Sequence, residues 1–295
     1  MREEVVAFTV YLQQEKKASK NTVISYERDL RQLFQYLDEQ GISDLSKVTK
    51  SCLNSYIVYL QKEGKASTSI SRMLASVKAF FHYEFREGKI RKDPAELLKA
   101  PKVEKKPPVI LTVKEVEDFL CQPGTRNAKE IRDKAMLELL YATGIRASEL
   151  TGLKFEDVNM DLGYIHCNDG FHERMIPFGK AAGEAMKLYL DSARAELLHG
   201  RESEWLFVNC SGGQLSRQGF WKIVKYYGEK AGIKEDITPH SLRHSFAAHM
   251  LSGGADVQLV QTMLGNSDTS TTHAYRAFVR REMIRERYES AHPRK

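Results

Sequence analysis

TPHSLRHSFAAHM, residues 238–250, brings three histidines and an arginine into one short run. Thr238 is a good N-cap and Pro239 a good first helical residue, so a helix is predicted to start there, with free N–H groups and a positive dipole end beside His240. His240 and His244 stand four residues apart and share one face of that helix, a spacing that can offer two ligands to zinc. Arg243 shares the face of His240 as well, and a guanidinium is a poor neighbour for a dication but a natural bidentate partner for phosphate oxygens. With no third ligand at a recognisable spacing, the run reads as a phosphate site, and His244 and His249 read as structural residues.

Outward from this helix the pattern is mixed. Helices are expected at 113–120, at 131–142 (stopped by Gly144), 181–198, 216–231, 257–264 and 280–288, and GYIHCNDGFHERMIPFG (163–179) reads as a β-hairpin with Asp169-Gly170 in its turn. The first third reads as helices only. Val5, Phe8 and Leu12 recur at helical spacing, as do Tyr26, Leu30, Leu33, Phe34 and Leu37 behind a cap at Asn21 or Thr22. Leu53, Ile57 and Leu60 mark a third helix and Ile70 through Phe81 a fourth, each closed by a glycine, Gly64 and Gly88. Between the halves, KDPAELLKAPKVEKKPPVIL (92–111) holds four prolines and five lysines and reads as an extended linker. Its lysines either lie along a phosphate backbone or keep the linker solvated. The expected fold is mainly α with a small β-hairpin or sheet: a four-helix domain over 1–91, the linker, and a mixed α+β domain over 112–295.

The 295 residues, 42% of them hydrophobic, suffice for two domains, and the net charge of +6 permits an acidic partner without naming one. Its distribution says more. Through Lys106 there are 20 Lys+Arg against 14 Asp+Glu, whereas the remainder holds 25 of each, so the whole surplus lies in the first third. A basic N-terminal domain beside a balanced one suits a DNA clamp, and equally a solvated basic face. The four cysteines show no metal-ligand or redox spacing, the N-terminus is acidic as well as basic, and no apolar run approaches the roughly 18 residues of a membrane span. The expectation is a cytoplasmic protein without disulfides.

Two further segments carry chemistry. In YATGIRASELTGL (141–153), Arg146 follows a glycine stop and Glu149 comes three residues later; in LGNSDTSTTHAYRAF (264–278), Tyr275 follows a Ser/Thr-rich approach. In this order, Arg146, His240-x-x-Arg243 and Tyr275 resemble the tyrosine recombinase (integrase) family, most closely its bacterial Xer members. The resemblance extends through KASKNTVISYERDLRQLFQYL, similar to the family's core-binding domain, and so covers nearly the whole chain. It implies attack of the tyrosine on a backbone phosphate, a 3′-phosphotyrosyl bond and a free 5′-hydroxyl that can attack a second duplex, with no metal or other cofactor. Arg146 and Arg243 would hold the non-bridging oxygens, His240 would assist the phenol, and Glu149 would orient Arg146. Implied, too, is a double-stranded recombination site as partner, in Xer-like chromosome or plasmid dimer resolution or in mobile-element integration. Candidate DNA contacts by position are Lys20, Asn21 and Thr22 before the second helix and Ser71, Arg72 and Lys78 on the fourth. The segment after Tyr275, with Phe278, Met283, Ile284 and Tyr288 spaced for a narrow apolar face, matches the tail by which such recombinases dock on a neighbour in tetramers on two duplexes; a helix folded back on its own domain is the other reading.

Two positions depart from the family pattern. Asp169 stands where the hairpin usually carries a lysine that acts as general acid, and an ionised carboxylate has no proton to give. His172 is the nearest replacement, with His166 behind it. Asn266 stands where Xer members usually have histidine; it can donate a hydrogen bond but carries no charge. These departures keep a second class open, a catalytically impaired DNA-binding homologue serving as an architectural or partner subunit, and behind it a metal hydrolase.

Overall fold

The computed structural model describes residues 2–102, 108–168 and 173–265, together with Tyr275 and Val279. The chain divides into two units, Met1–Lys106 and Pro107–Lys295. In the first, four helices form a bundle: α1 (Arg2–Gln14), α2 (Lys20–Glu39), α3 (Lys50–Lys62) and α4 (Ser67–Arg86). The cap of α2 is Ser19 rather than Asn21 or Thr22, because Ser19 keeps an extended backbone and its Oγ accepts the Thr22 N–H at 3.2 Å. The apolar stripes meet as their spacing requires. Phe80 of α4 packs edge-on against Phe8 of α1 and Phe34 of α2, at ring separations of 5.5 and 5.4 Å. Asp29 is buried within this unit and is held by Arg72 and by the Ser76 hydroxyl. The expected linker is not extended throughout: Ala95 and Leu98 are buried against the N-terminal core, since apolar side chains there gain more from packing than from water.

In the second unit, α5 (Val113–Leu120) opens with a capping box and α6 (Ala128–Thr143) runs through the core. Ala135, Met136, Leu137, Leu139 and Leu140 are all fully buried, as are the paired Arg132 and Asp133, so α6 is enclosed on most of its sides and packs against α8 (Lys180–Leu188) on one and α11 (Pro239–Ser252) on another. After α7 (Ala147–Gly152) come three antiparallel strands in the order β1-β2-β3: β1 (Val158–Asn159), β2 (Tyr164–Asn168) and β3 (Glu173–Pro177). The short β1 was not foreseen, two residues being too few for any period. Ile165, Cys167, Arg174 and Ile176 face inward. The single helix expected over 181–198 is interrupted by a π-turn, Tyr189–Ala193, before α9 (Arg194–Leu198). At that turn the buried Tyr189 hydroxyl donates to the Leu206 carbonyl at 3.0 Å. Among the described residues the remaining α-helices are α10 (Arg217–Lys230) and α12 (Val257–Leu264). Thr238 caps α11 and Pro239 is its first residue, as its sequence requires. The expected helix at 280–288 and the rest of the tail lie outside the described residues. Among the described residues no helix is long and apolar enough to cross a membrane.

Gly144 ends α6 at φ +63, and a Cβ there would lie 2.2 Å from the Phe246 ring of α11. Gly144→Ala is therefore expected to cost about 2–5 kcal/mol through left-handed strain and overpacking, read as a lower denaturation midpoint.

Candidate active site

The tight turn at Gly144 delivers Arg146 to the start of α7 with Ile145 buried behind it. Glu149, one turn on, folds back: its Oε2 accepts the Arg146 N–H at 2.6 Å and its Oε1 accepts Arg146 Nη1 at 3.1 Å. Arg243 comes from the first half of α11 and is buried, with Nη1 donating to the Gly144 carbonyl at 2.8 Å and Nη2 to the Leu264 carbonyl at 2.6 Å. Burial, then the charge of Arg146, pull its pKa down to about 10, so it stays cationic at neutral pH.

The C-terminus of α12 organises these groups. The Leu264 carbonyl takes Arg243, the Gly265 carbonyl takes Arg146 Nη2 at 2.6 Å, and the Met263 carbonyl takes Arg174 Nε at 3.1 Å. The last carbonyls of a helix have no partner within it and carry the negative end of its dipole, which makes three in succession a seat for three guanidiniums. Arg174 was not singled out by sequence. Its place in the strand alternation, on the same face as the apolar Ile176, was the available signal.

Tyr275 is only 2% exposed, and its hydroxyl is hydrogen-bonded to Nδ1 of His244. Burial raises the phenol pKa, and Arg243 opposes that rise. His244, read from sequence as structural, thus holds the hydroxyl that His240 was expected to assist. The i,i+4 spacing explains the difference: both rings lie on one face, 6.2 Å apart, with His244 one turn deeper and His240 at the exposed end. Burial, followed by His240 and Arg243, pushes the His244 pKa down to about 4, so the ring is neutral at pH 7 and, with hydrogen on Nε2, its Nδ1 accepts the phenol proton. Desolvation, Arg243 and Arg146 also lower the pKa of His240.

Linkage gives this a sign. Between pH 6.5 and about 4 the unfolded chain binds a proton that folded His244 refuses, so stability falls as the pH drops through that window and is restored above it. His244→Asn is expected to flatten the acid limb of the melting temperature against pH over this interval; an unchanged slope would contradict the assignment.

Asp169, His172 and Asn266 lie outside the described residues. His166 lines a cleft of about 320 Å³ with Arg146, Glu149 and Asn168. In the N-terminal unit Lys20 and Asn21 are exposed at the start of α2 and Thr22 is half-buried there, while Ser71 and Lys78 are half-buried on α4. Arg72 is engaged by Asp29, which commits part of its charge to the fold. Among the described residues no group of three or more His, Cys, Asp or Glu is arranged to hold a metal ion.

Two family models match the chain: the phage integrase family over residues 110–281, and the phage integrase N-terminal SAM-like domain over residues 5–88. The chain belongs to the phage integrase family. Tyrosine recombinase XerD of Halalkalibacterium halodurans is 42% identical to it, over 95% of this chain and 94% of that protein. The Listeria monocytogenes tyrosine recombinase XerD is 39% identical over the full length of both. Among solved structures, XerH site-specific recombinase bound to a palindromic difH substrate after cleavage has a TM-score of 0.75 at 20% identity, covering 96% of this chain and 84% of that one. A lambda integrase dimer bound to a core site has a TM-score of 0.72 at 18% identity, covering 94% and 95%. These structures share the integrase fold, a helical N-terminal domain and a mainly helical domain with a small sheet.

Proposed function

We propose that this phage integrase family member is a site-specific DNA recombinase that cleaves and rejoins strands through Tyr275. The observation that carries the reading is the Tyr275 hydroxyl hydrogen-bonded to a neutral His244 on the helix that also supplies Arg243. In the forward step Tyr275 Oη attacks a backbone phosphorus, its proton passes to His244 Nδ1, and the bond from phosphorus to the 5′-oxygen breaks. Arg146 and Arg243 stabilise the charge that builds on the non-bridging oxygens, the service a metal would otherwise give. His240, at the exposed end of the same face, donates to one of those oxygens, as does Asn266. The departing 5′-oxygen takes its proton from His172, since a carboxyl of ordinary pKa, as at Asp169, has none to give at neutral pH. Rejoining reverses these steps: a 5′-hydroxyl attacks the phosphotyrosine, whose bond energy makes ATP unnecessary. Because Tyr275 is 2% exposed, its hydroxyl has to be uncovered before it reaches a phosphate.

Binding is assigned to the basic N-terminal unit, through Lys20, Asn21, Thr22, Ser71 and Lys78, with Arg72 sharing its charge with Asp29. The segment beyond Tyr275 is assigned to docking on a second recombinase copy, in a cytoplasmic assembly on two duplexes. The purely architectural alternative is not favoured: relatives about 40% identical over nearly the full chain carry the name tyrosine recombinase. A nicked suicide duplex carrying the recombination site tests the reading. A denaturation-resistant protein–DNA adduct is expected, and tight specific binding with no adduct would refute it.

A further inference from the structure

Arg174 has no part in the chemistry above, yet it is built into the centre of the site. It stands opposite Cys167 in the β2–β3 register, and its side chain is 5% exposed. Its Nε is fixed by the Met263 carbonyl, and its Nη2 donates to Glu149 Oε1 at 2.7 Å. The backbone of Gly265 closes over the guanidinium so tightly that a Cβ there would lie 2.7 Å from Cζ and 2.9 Å from Nη1. Nη1 itself is buried without a hydrogen-bond partner among the described residues.

Leaving a guanidinium N–H buried and unpaired is costly, so the position is not explained by fold stability alone. What the placement achieves is a division of Glu149. The Oε1 atom that accepts Arg174 also accepts Arg146 Nη1, so one carboxylate oxygen serves two guanidiniums. Among the described residues the three guanidiniums of Arg146, Arg174 and Arg243 stand at the one carboxylate of Glu149, and without Arg174 its Oε1 is no longer shared between two of them.

We propose that Arg174 is a positioning residue for strand cleavage: by sharing Glu149 with Arg146 it fixes the plane of the Arg146 guanidinium that meets the scissile phosphate. The inference rests on the reading of the chain as a strand-cleaving recombinase. It gives the hairpin a duty that does not depend on its turn, tying β3 to both α7 and the end of α12.

Single-turnover cleavage of a saturating nicked suicide duplex, measured beside DNA affinity, tests it. Arg174→Met is expected to cut the cleavage rate on the order of a hundredfold, the usual penalty for a slightly misplaced reacting group, with affinity within about threefold of wild type. The effect acts through Glu149, so in a Glu149→Gln background the same substitution is expected to cost about tenfold less, a non-additivity that a separate packing role does not produce. Additive losses, or a cleavage rate within about threefold of wild type, overturn the proposal. Should Arg174→Met fail to fold, Arg174→Lys decides: it keeps the charge but cannot hold both Met263 and Glu149, and a rate less than about tenfold below wild type overturns the proposal. Absence of an adduct with the wild-type protein overturns the recombinase reading and this inference together; an adduct undiminished by either variant overturns this inference alone.

Discussion

Tyr275→Phe is expected to abolish the covalent protein–DNA adduct while leaving site-specific binding within about threefold of wild type, because the change removes one oxygen and little packing. The ring keeps its contacts, and the only described hydrogen bond lost is that to His244. No other tyrosine lies beside His244 among the described residues: the ring packed against it, at 5.4 Å, is Tyr275. Gel electrophoresis under denaturing conditions after incubation with the suicide duplex reads the result directly. Residual adduct at more than about a thousandth of the wild-type level would mean that another nucleophile works at the site.

Arg243→Lys is expected to have the second largest effect, slowing cleavage about a thousandfold or more at saturating DNA. An ammonium keeps the charge but not the fork. Arg243 holds the carbonyls of Gly144 and Leu264 with separate nitrogens, and so ties the turn before Arg146 to the end of α12. A lysine carries its three donors on one nitrogen and cannot stand where Nη1 and Nη2 both stand, so either a flanking segment shifts or a buried carbonyl is left unpaired at a cost of roughly 1–3 kcal/mol. Paired measurement of melting temperature and single-turnover rate separates the two consequences: the rate is expected to fall far more than the stability loss accounts for. A rate within about tenfold of wild type would show that charge alone suffices at this position.

The helices were legible because each has a stripe to bury and a signal to stop it. Leu30, Leu33, Phe34 and Leu37 sit on the core face of α2, Thr238 and Pro239 open α11, and Gly144 closes α6 in the left-handed conformation that favours glycine. The cap of α2 slipped to Ser19 because three neighbouring polar residues can each cap and only backbone geometry chooses among them. Ala95 and Leu98 were hidden by the prolines and lysines around them, and the π-turn at Tyr189 by an apolar spacing that one extra residue barely disturbs. Of the site, the order of Arg146, Glu149, His240, Arg243 and Tyr275 was legible, and the close pairing of Arg146 with Glu149 follows from three-residue spacing at a helix start. What spacing could not settle was depth. His240 and His244 share a face, and only the packed position of Tyr275 makes the second ring its partner. The grip of α12 on three arginines was equally hidden, because main-chain carbonyls leave no trace in a sequence.

The most direct measurement is mass spectrometry of the protease-digested adduct formed on the suicide duplex, combined with end analysis of the cleaved strand. The expected result is a nucleotide joined through its 3′-phosphate to the peptide containing Tyr275, with a free 5′-hydroxyl on the released fragment. A nucleotide on any other residue, or a tyrosine linked to a 5′-phosphate with a 3′-hydroxyl released, would contradict it.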